Sequence, residues 1–150
     1  MAITAAGLYG LTLEKFLTDA AGENLEAEDN EGLLCEDGYT PNYDTHDFVN
    51  DVTNEISGGN YAREAITTTE ITLSSGTLTF DAADTVYDNG GADDVTITNA
   101  MAQVIHTNVG ADTTDQLVCL QDFVTAGSST NSTFTVQHAA GGIFTIDYTP

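Results

Sequence analysis

Basic side chains are nearly absent from this chain of 150 residues. Lys15 and Arg63 are the only two, against 24 aspartate and glutamate residues, so the formal net charge at pH 7 is −22. A surface of that sign repels the phosphates of nucleic acids and the head groups of anionic lipids. The composition therefore predicts a protein that binds neither nucleic acid nor a membrane.

Tryptophan is absent, and there are only two cysteines. Cys35 and Cys119 lie in the apolar stretches GLLCE and QLVCLQ, without the CxxC spacing of a redox or zinc motif. We expect both to be buried free thiols, with a disulfide between them as the alternative. No apolar run reaches the length of a transmembrane helix, and the N-terminus lacks the basic region of a signal peptide.

The acidic composition does not exclude a folded domain. Six phenylalanines, six tyrosines and many β-branched residues separate this chain from acidic disordered sequences. Its length predicts one domain, residues 1–150, that buries a substantial core. Three explanations for the acidic surface stay open: a marine or halophilic source, a basic patch on a partner, and bound divalent cations.

Threonine alternates with apolar residues along much of the chain after residue 64, for example in ITTTEITLSS, TLTF, VTIT and FTV. This alternation is typical of half-buried antiparallel strands. Two near-continuous apolar runs, residues 100–109 and 117–124, predict a central hairpin that is buried on both faces. With a turn at DNGG (88–91) and a closing strand at 143–148, the pattern predicts a mainly β protein. We expect an antiparallel β-sandwich of about seven to nine strands.

One or two short helices are predicted before these strands. The first follows a cap at Thr12 and ends at Gly22, with a strand over 11–17 as the alternative. Its apolar positions are Leu13, Phe16, Leu17, Ala20 and Ala21. A short buried strand is expected at residues 33–35. A second helical turn would be capped by Asp44 or Thr45 and would place Phe48, Val49 and Val52 on one face. Residues 1–11 are small and apolar, which predicts an extended arm.

Few residues suggest chemistry. The chain has no nucleophile elbow, phosphate loop or HExxH motif. His106 and His138 are interpreted as structural side chains at strand edges. His46 and its neighbouring carboxylates are interpreted as capping groups, because no second histidine or cysteine follows at metal-ligand spacing. An aspartate-rich stretch at 81–94 could hold calcium, although a solvated loop is preferred. The sequence thus predicts no enzyme activity, no cofactor and no metal site.

One long segment, YTPNYDTHDFVNDVTNEISGGNYAREA at residues 39–65, resembles a segment of small structural proteins of tailed bacteriophages. The family pattern reads approximately YTPNxDTHxFxxDVTNE, followed by a glycine-rich turn and a tyrosine. The matching residues are Tyr39, Thr40, Pro41, Asn42, Asp44, Thr45, His46, Asp47, Phe48, Asp51, Val52, Thr53, Asn54, Glu55, Ser57, Gly58 and Tyr61. We call residues 39–65 the signature segment.

The resemblance continues more weakly and in the same order along the chain. The matching stretches are residues 80–86, 101–106, 117–123 and 134–146. The tryptophans usual in the family are absent, and so are most of its basic residues. These departures leave the fold expectation unchanged and put the partner surfaces in doubt.

The resemblance implies a non-enzymatic virion component, made in the host cytoplasm. The preferred version is a capsid decoration (cement) protein on the head exterior, a trimer that bridges capsomers of the major capsid protein. A tail, neck or fibre-attachment protein is one alternative, and a carbohydrate-binding β-sandwich module is another. Tyrosine is enriched at interface centres, so Tyr9, Tyr39, Tyr43 and Tyr61 are candidates, with a core role open for Tyr39 and Tyr61. The partner-interface residues selected are Leu8, Tyr9, Leu11, Tyr43 and Arg63.

Overall fold

A computed structural model describes residues 3, 5–18, 24–26 and 29–148. Over these residues the protein is mainly β, with ten strands in antiparallel sheets and very little helix. The predicted fold class is therefore confirmed as a β-sandwich-like arrangement. The count exceeds the expected seven to nine because two of the ten strands are only two residues long.

Short helical elements precede and interrupt the strands in the described part of the chain. In chain order, the elements are β1 (Gly7–Leu8), α1 (Gly10–Thr18), β2 (Asn30–Glu36), a 3-10 turn (Val49–Asp51), β3 (Glu64–Ala65), β4 (Glu70–Ser74), β5 (Thr77–Asp81), β6 (Thr85–Tyr87), β7 (Ile97–Thr107), β8 (Leu117–Ser129), β9 (Phe134–Val136) and β10 (Phe144–Asp147).

A five-stranded sheet in the order β1-β8-β7-β2-β3 forms the centre of the domain. Its long hairpin β7–β8 contains the two apolar runs, and residues 100–107 and 117–120 are buried throughout. Because neighbouring side chains on a strand point to opposite faces, such continuous burial requires cover on both faces. The central hairpin predicted from sequence is therefore confirmed. Its burial on both faces holds for residues 100–107 and 117–120, whereas Val109 and Val124 at the ends of the predicted runs are exposed.

The two faces of this central sheet are covered by different parts of the chain. On one face, Leu33 and Val104 pack with Tyr9, Tyr39 and Val49 from the N-terminal and signature segments. The other face packs against two smaller sheets, β6-β9 and β10-β5-β4. The domain is thus a layered structure in which the central sheet lies between Tyr39 and Val49 on one side and the smaller sheets on the other. The signature segment reaches both sides, because its Tyr61 stacks on Tyr87 of β6.

The three-stranded sheet β10-β5-β4 consists of one hairpin and a third strand from the end of the chain. β4 and β5 are joined by the two-residue turn Ser75–Gly76, with φ of 52° and 85°. Positive φ at both positions is the geometry of a type I′ hairpin, for which glycine is favoured. β10 then pairs with the other side of β5. This pairing brings every second residue of the three strands onto one face.

The N-terminal part of the chain is integrated into the domain from residue 7. Gly7 and Leu8 pair with Leu120 and Cys119 of β8, and Gly10–Thr18 form a helix. The arm predicted for residues 1–11 is therefore folded onto the central sheet at residues 7–11, while residues 1, 2 and 4 lie outside the described part. The backbone of residues 7 and 8 is extended because it pairs with the edge of β8, which would otherwise be open.

The first predicted helix exists, but it begins two residues before Thr12. The Thr12 hydroxyl is buried and donates a hydrogen bond to the carbonyl oxygen of Leu117, so it anchors the helix to β8 instead of capping it. The helix ends at Thr18. The predicted end at Gly22, with Ala20 and Ala21, lies outside the described residues.

The second predicted helical turn is a 3-10 turn at Val49–Asp51, and neither Asp44 nor Thr45 caps it. Phe48 occupies the capping position with an extended backbone. The Asp51 carboxylate accepts a hydrogen bond from the backbone of Asp47 at 3.1 Å, which closes the turn from its other end. Val49 is buried as expected, because it faces the central sheet.

Both cysteines are free and buried, as expected from their apolar surroundings. Burial raises the pKa of the Cys35 thiol to about 12, and burial does the same for Cys119. A thiol that stays protonated at neutral pH is a poor nucleophile and a poor metal ligand. The two cysteines therefore act as small apolar side chains of the core.

Candidate partner-binding surface

The structure brings two of the expected interface residues, Tyr9 and Tyr43, into direct contact. Their rings meet edge to face, with centroids 5.3 Å apart. The Tyr43 hydroxyl donates to the carbonyl oxygen of Ala5 at 2.7 Å, and the backbone of Gly10 donates to that of Tyr43 at 2.7 Å. A Cβ at Gly7 would lie 2.6 Å from the Tyr43 ring, so only glycine fits there. These contacts fasten the N-terminal segment to the signature segment.

A chain of hydrogen bonds continues from this junction into the signature segment. The hydroxyls of Tyr9 and Tyr39 are 2.9 Å apart, and the Tyr39 hydroxyl is 3.0 Å from Nδ1 of His46. The His46 ring also stacks on Tyr39, with centroids 5.8 Å apart. Burial raises the pKa of Tyr9 above its usual range and that of Tyr39 to about 12. Tyr9 and Tyr39 are thus neutral core residues and offer no ring to a partner.

The neighbouring candidates Leu8 and Leu11 are only partly buried. Leu8 packs against the core cluster that contains Phe80 and Val118. Leu11 lies in the first turn of α1. Leu8 and Leu11 therefore keep part of their surface accessible to solvent, and so does Tyr43.

Arg63 is engaged within the chain. Its Nε and Nη2 donate to both oxygens of Glu55 at 2.8 and 2.7 Å, and its Nη1 donates to Asp112 at 2.7 Å. These hydrogen bonds raise the pKa of Arg63 and lower that of Asp112. Two-pronged contacts of this kind fix a guanidinium firmly. Arg63 therefore joins the end of the signature segment to the β7–β8 loop, and its charge is balanced there.

His106 and His138 are both held by contacts within the fold. His106 lies inside β7, between the partner strands and not at a strand edge, and it is fully buried. Its Nδ1 is 2.8 Å from the carbonyl oxygen of Thr107, and its Nε2 has no hydrogen-bond partner among the described residues. His138 follows β9 and contacts Thr85 and Gln121 at 3.1 Å each. Burial lowers the pKa of both histidines, so both are neutral near pH 7.

Two aspartates of residues 81–94 bind backbone N–H groups, one across the fold and one within its own loop. Asp84 accepts a hydrogen bond from the backbone of His138 at 2.9 Å, and Asp88 accepts one from Gly91 at 2.9 Å. Within the described ranges, no three histidine, cysteine or acidic side chains gather as metal ligands. None of the helices in the described part of the chain is long and apolar enough to cross a membrane.

Apolar side chains form two parallel rows on one face of the three-stranded sheet. The inner row, Ile71, Phe80 and Phe144, is aligned by direct pairing and contacts the core. The outer row consists of Leu73, Leu78 and Ile146, paired in the same way. The side chain of Leu73 is 68% exposed. The sheet therefore continues its apolar face beyond the part that the core covers.

Helix α1 lies across this apolar face and leaves a groove of about 470 Å³ between them. Leu13 and Leu17 line its helical side, and Leu78 and Ile146 line its sheet side. Of the eight lining residues only Asn24 is polar. Leu17 is 88% exposed. We call this region, with the outer row and Leu17, the apolar groove; exposed apolar surface of this kind is a feature of interaction sites.

Sequence reasoning did not select the apolar groove. The alternation in ITTTEITLSS and TLTF indicated strands with one apolar face, and β4 and β5 carry it. Whether that face is covered depends on how far α1 and the core extend over it. Helix α1 and the core residues come from distant parts of the chain, so no local sequence pattern shows whether this face is covered.

Comparison with known proteins finds no family model, no curated protein sequence and no solved structure that matches this chain.

Proposed function

We propose that this chain is a non-enzymatic structural protein of a tailed-phage virion, and specifically a capsid decoration protein. It would sit on the head exterior as a trimer and bridge neighbouring copies of the major capsid protein. The single observation that carries the proposal is the resemblance of the signature segment to small structural proteins of these phages.

The internal contacts of the signature segment support a structural role. Its tyrosines and its 3-10 turn pack on the central sheet, and Arg63 near its end is bound to Glu55 and Asp112. The segment therefore stabilises the domain, which is the task of a rigid building block.

The charge of the chain supports a protein partner over nucleic acid or a membrane. With a net charge of −22, contact with phosphate is unfavourable, while a basic patch on a capsid protein would be attracted. A decoration protein that binds only the assembled lattice stabilises that lattice by mass action. No cofactor is needed for this function.

Immunogold electron microscopy of virions of the source phage, with antibody to this protein, tests the proposal. Uniform labelling of the heads supports the decoration function. Labelling restricted to the tail or neck assigns the protein to a tail, neck or fibre-attachment function instead. Unlabelled virions contradict the virion proposal altogether.

A second candidate, a carbohydrate-binding module, is favoured by one observation. A depression of about 460 Å³ beside β8 and β9 is lined by Phe123 and Phe134 together with Gln121 and Asp122. Aromatic rings next to amide and carboxylate groups suit the mixed apolar and polar faces of a sugar. Binding of the isolated protein to a glycan array, lost in Phe123→Ala, would support this function over the virion proposal.

A further inference from the structure

The apolar groove is an extension of the protein's own core. Its floor continues the face on which the rings of Phe80 and Phe144 pack at a tilt of 31°, with centroids 5.2 Å apart. Phe80 is fully buried by the core, whereas Leu73, two pairs further along the same face, is largely exposed. Covering the outer row would therefore extend an existing packed layer by one more set of contacts.

The opposite face of the same sheet is of a different character. Thr72, Thr79 and Thr145 are paired side by side there, and Glu70 and Asp147 flank them. Threonine and acidic side chains are suited to solvent. Only the face that carries the apolar groove is therefore suited to close packing with another protein.

Charge decides which occupant suits the groove. A second copy in the groove would bring two chains of charge −22 together, which opposes that contact at low salt, so the proposed trimer is assigned to a different surface. Glu26, an exposed acid at the groove, already uses one carboxylate oxygen to accept the backbone N–H of Ile71 at 2.8 Å. A segment that carries lysine or arginine beside its apolar residues is attracted by the same field.

We infer that the apolar groove binds a short apolar segment of a partner protein that is flanked by basic residues. Leu17 and the outer row contact the apolar side chains of that segment, and the acidic surface of the domain attracts its flanks. This inference rests on the proposed function for the identity of the partner, the major capsid protein. Binding of such a segment in the groove can be measured with the isolated chain, without the capsid.

The test uses two synthetic peptides that are labelled for fluorescence anisotropy. In both, leucines alternate with threonines; lysines flank one peptide and glutamates flank the other. The full chain should bind the lysine-flanked peptide. Its affinity should fall as NaCl is raised from about 50 to about 500 mM, because salt screens charge attraction. The glutamate-flanked peptide should not bind.

The double variant Leu17→Ser/Leu73→Ser should weaken binding of the lysine-flanked peptide about tenfold, the scale of losing anchor contacts. Val109→Ser is the matched control, since Val109 is an exposed apolar residue in the β7–β8 loop; its binding should stay within about twofold. Thermal melts check that the variants fold, and both sites are exposed enough to be replaced at little cost.

Three results would overturn the inference. The first is the absence of peptide binding by the unaltered chain. The second is binding that is equal for the two peptides or unaffected by the double variant. The third is self-association in sedimentation velocity that grows with salt and disappears in Leu73→Ser, which assigns the groove to a second copy. Labelled virion heads with no peptide binding would leave the proposed function standing and remove only the groove inference.

Discussion

The central sheet and the three-stranded sheet share the same kind of strand but differ in how their apolar faces are used. In the central sheet, both faces are covered by the chain itself, and Leu33 and Leu34 point to opposite faces with neither exposed. In the three-stranded sheet, one face is polar and the other is covered only over its inner row. The central sheet is therefore expected to supply most of the stability of the domain, whereas the three-stranded sheet leaves part of its apolar face exposed.

The largest contrast between the two sheets should appear when one leucine is shortened in each. Leu33→Ala opens a cavity in a fully buried layer and should lower the free energy of unfolding by about 2–5 kcal/mol. Leu73→Ala should change it by less than about 0.5 kcal/mol, because Leu73 is mostly exposed. Urea unfolding measures both. Equal losses would mean that the outer row is part of the stabilising core.

A polar contact that covers the central sheet gives the next largest effect. Tyr9→Phe removes the hydroxyl that lies 2.9 Å from that of Tyr39 in a buried site. We expect a loss of about 1–2 kcal/mol in the free energy of unfolding. Tyr148→Phe is the control, since Tyr148 follows β10 and is 59% exposed, and it should lose less than about 0.5 kcal/mol. A Tyr9→Phe variant as stable as the parent would show that the hydrogen bond between Tyr9 and Tyr39 contributes no stability.

Acidification should also weaken the central sheet. Burial lowers the pKa of His106 in the folded protein, so the unfolded chain takes up a proton more readily. The stabilisation is present above the unfolded pKa of about 6.5 and is lost as pH falls below it. The slope is at most about 1.4 kcal/mol per pH unit for one histidine. His138, whose pKa burial also lowers, acts in the same direction.

Urea unfolding between about pH 8 and about pH 5.5 measures this pH dependence of the free energy of unfolding. Most carboxylates titrate below that range, so they contribute little to it. His106→Gln should flatten the dependence. In the unaltered protein, the ring proton shifts of His106 in NMR spectra should stay constant over the same range. A ring that titrates near its usual pKa would contradict the buried neutral state.

The smallest predicted effect concerns Arg63, which joins the signature segment to the β7–β8 loop. Arg63→Lys removes the two-pronged contact with Glu55 and should lower the free energy of unfolding by about 0.5–1 kcal/mol. The loss should shrink in high salt, because part of it is charge attraction between partly exposed groups. A variant as stable as the parent at low salt would show that the contact between Arg63 and Glu55 adds nothing to the stability of the domain.

Local patterns predict much of this fold. The alternation of threonine with apolar residues identifies β4, β5 and β9, and the two apolar runs identify the hairpin β7–β8. These features depend on neighbours in sequence, which is where such patterns carry information. The strand β1 escapes prediction because it has only two residues. The strand β6 escapes prediction because its buried residues are Thr85 and Tyr87, while the apolar Val86 between them is exposed.

The candidate surface is less accessible to sequence reasoning because it depends on distant pairs. Tyr9 meets Tyr39 across 30 residues, and Arg63 meets Asp112 across 49. Tyr9 is an interface candidate by sequence and is buried in the structure, since an amphipathic tyrosine suits both environments. The apolar spacing around Leu17 and around Leu73 predicts that both side chains are packed. Both are exposed in the structure, because a sequence pattern does not show how far the core extends over an apolar face.

The most direct test is a leucine-methyl NMR spectrum of the protein, titrated with the lysine-flanked peptide. We predict that the methyl signals of Leu17, Leu73 and Leu78 shift, while those of Leu33 and Leu34 in the central sheet do not. Shifts confined to leucines outside the apolar groove, or none at all, would contradict the assignment of the outer sheet to partner binding.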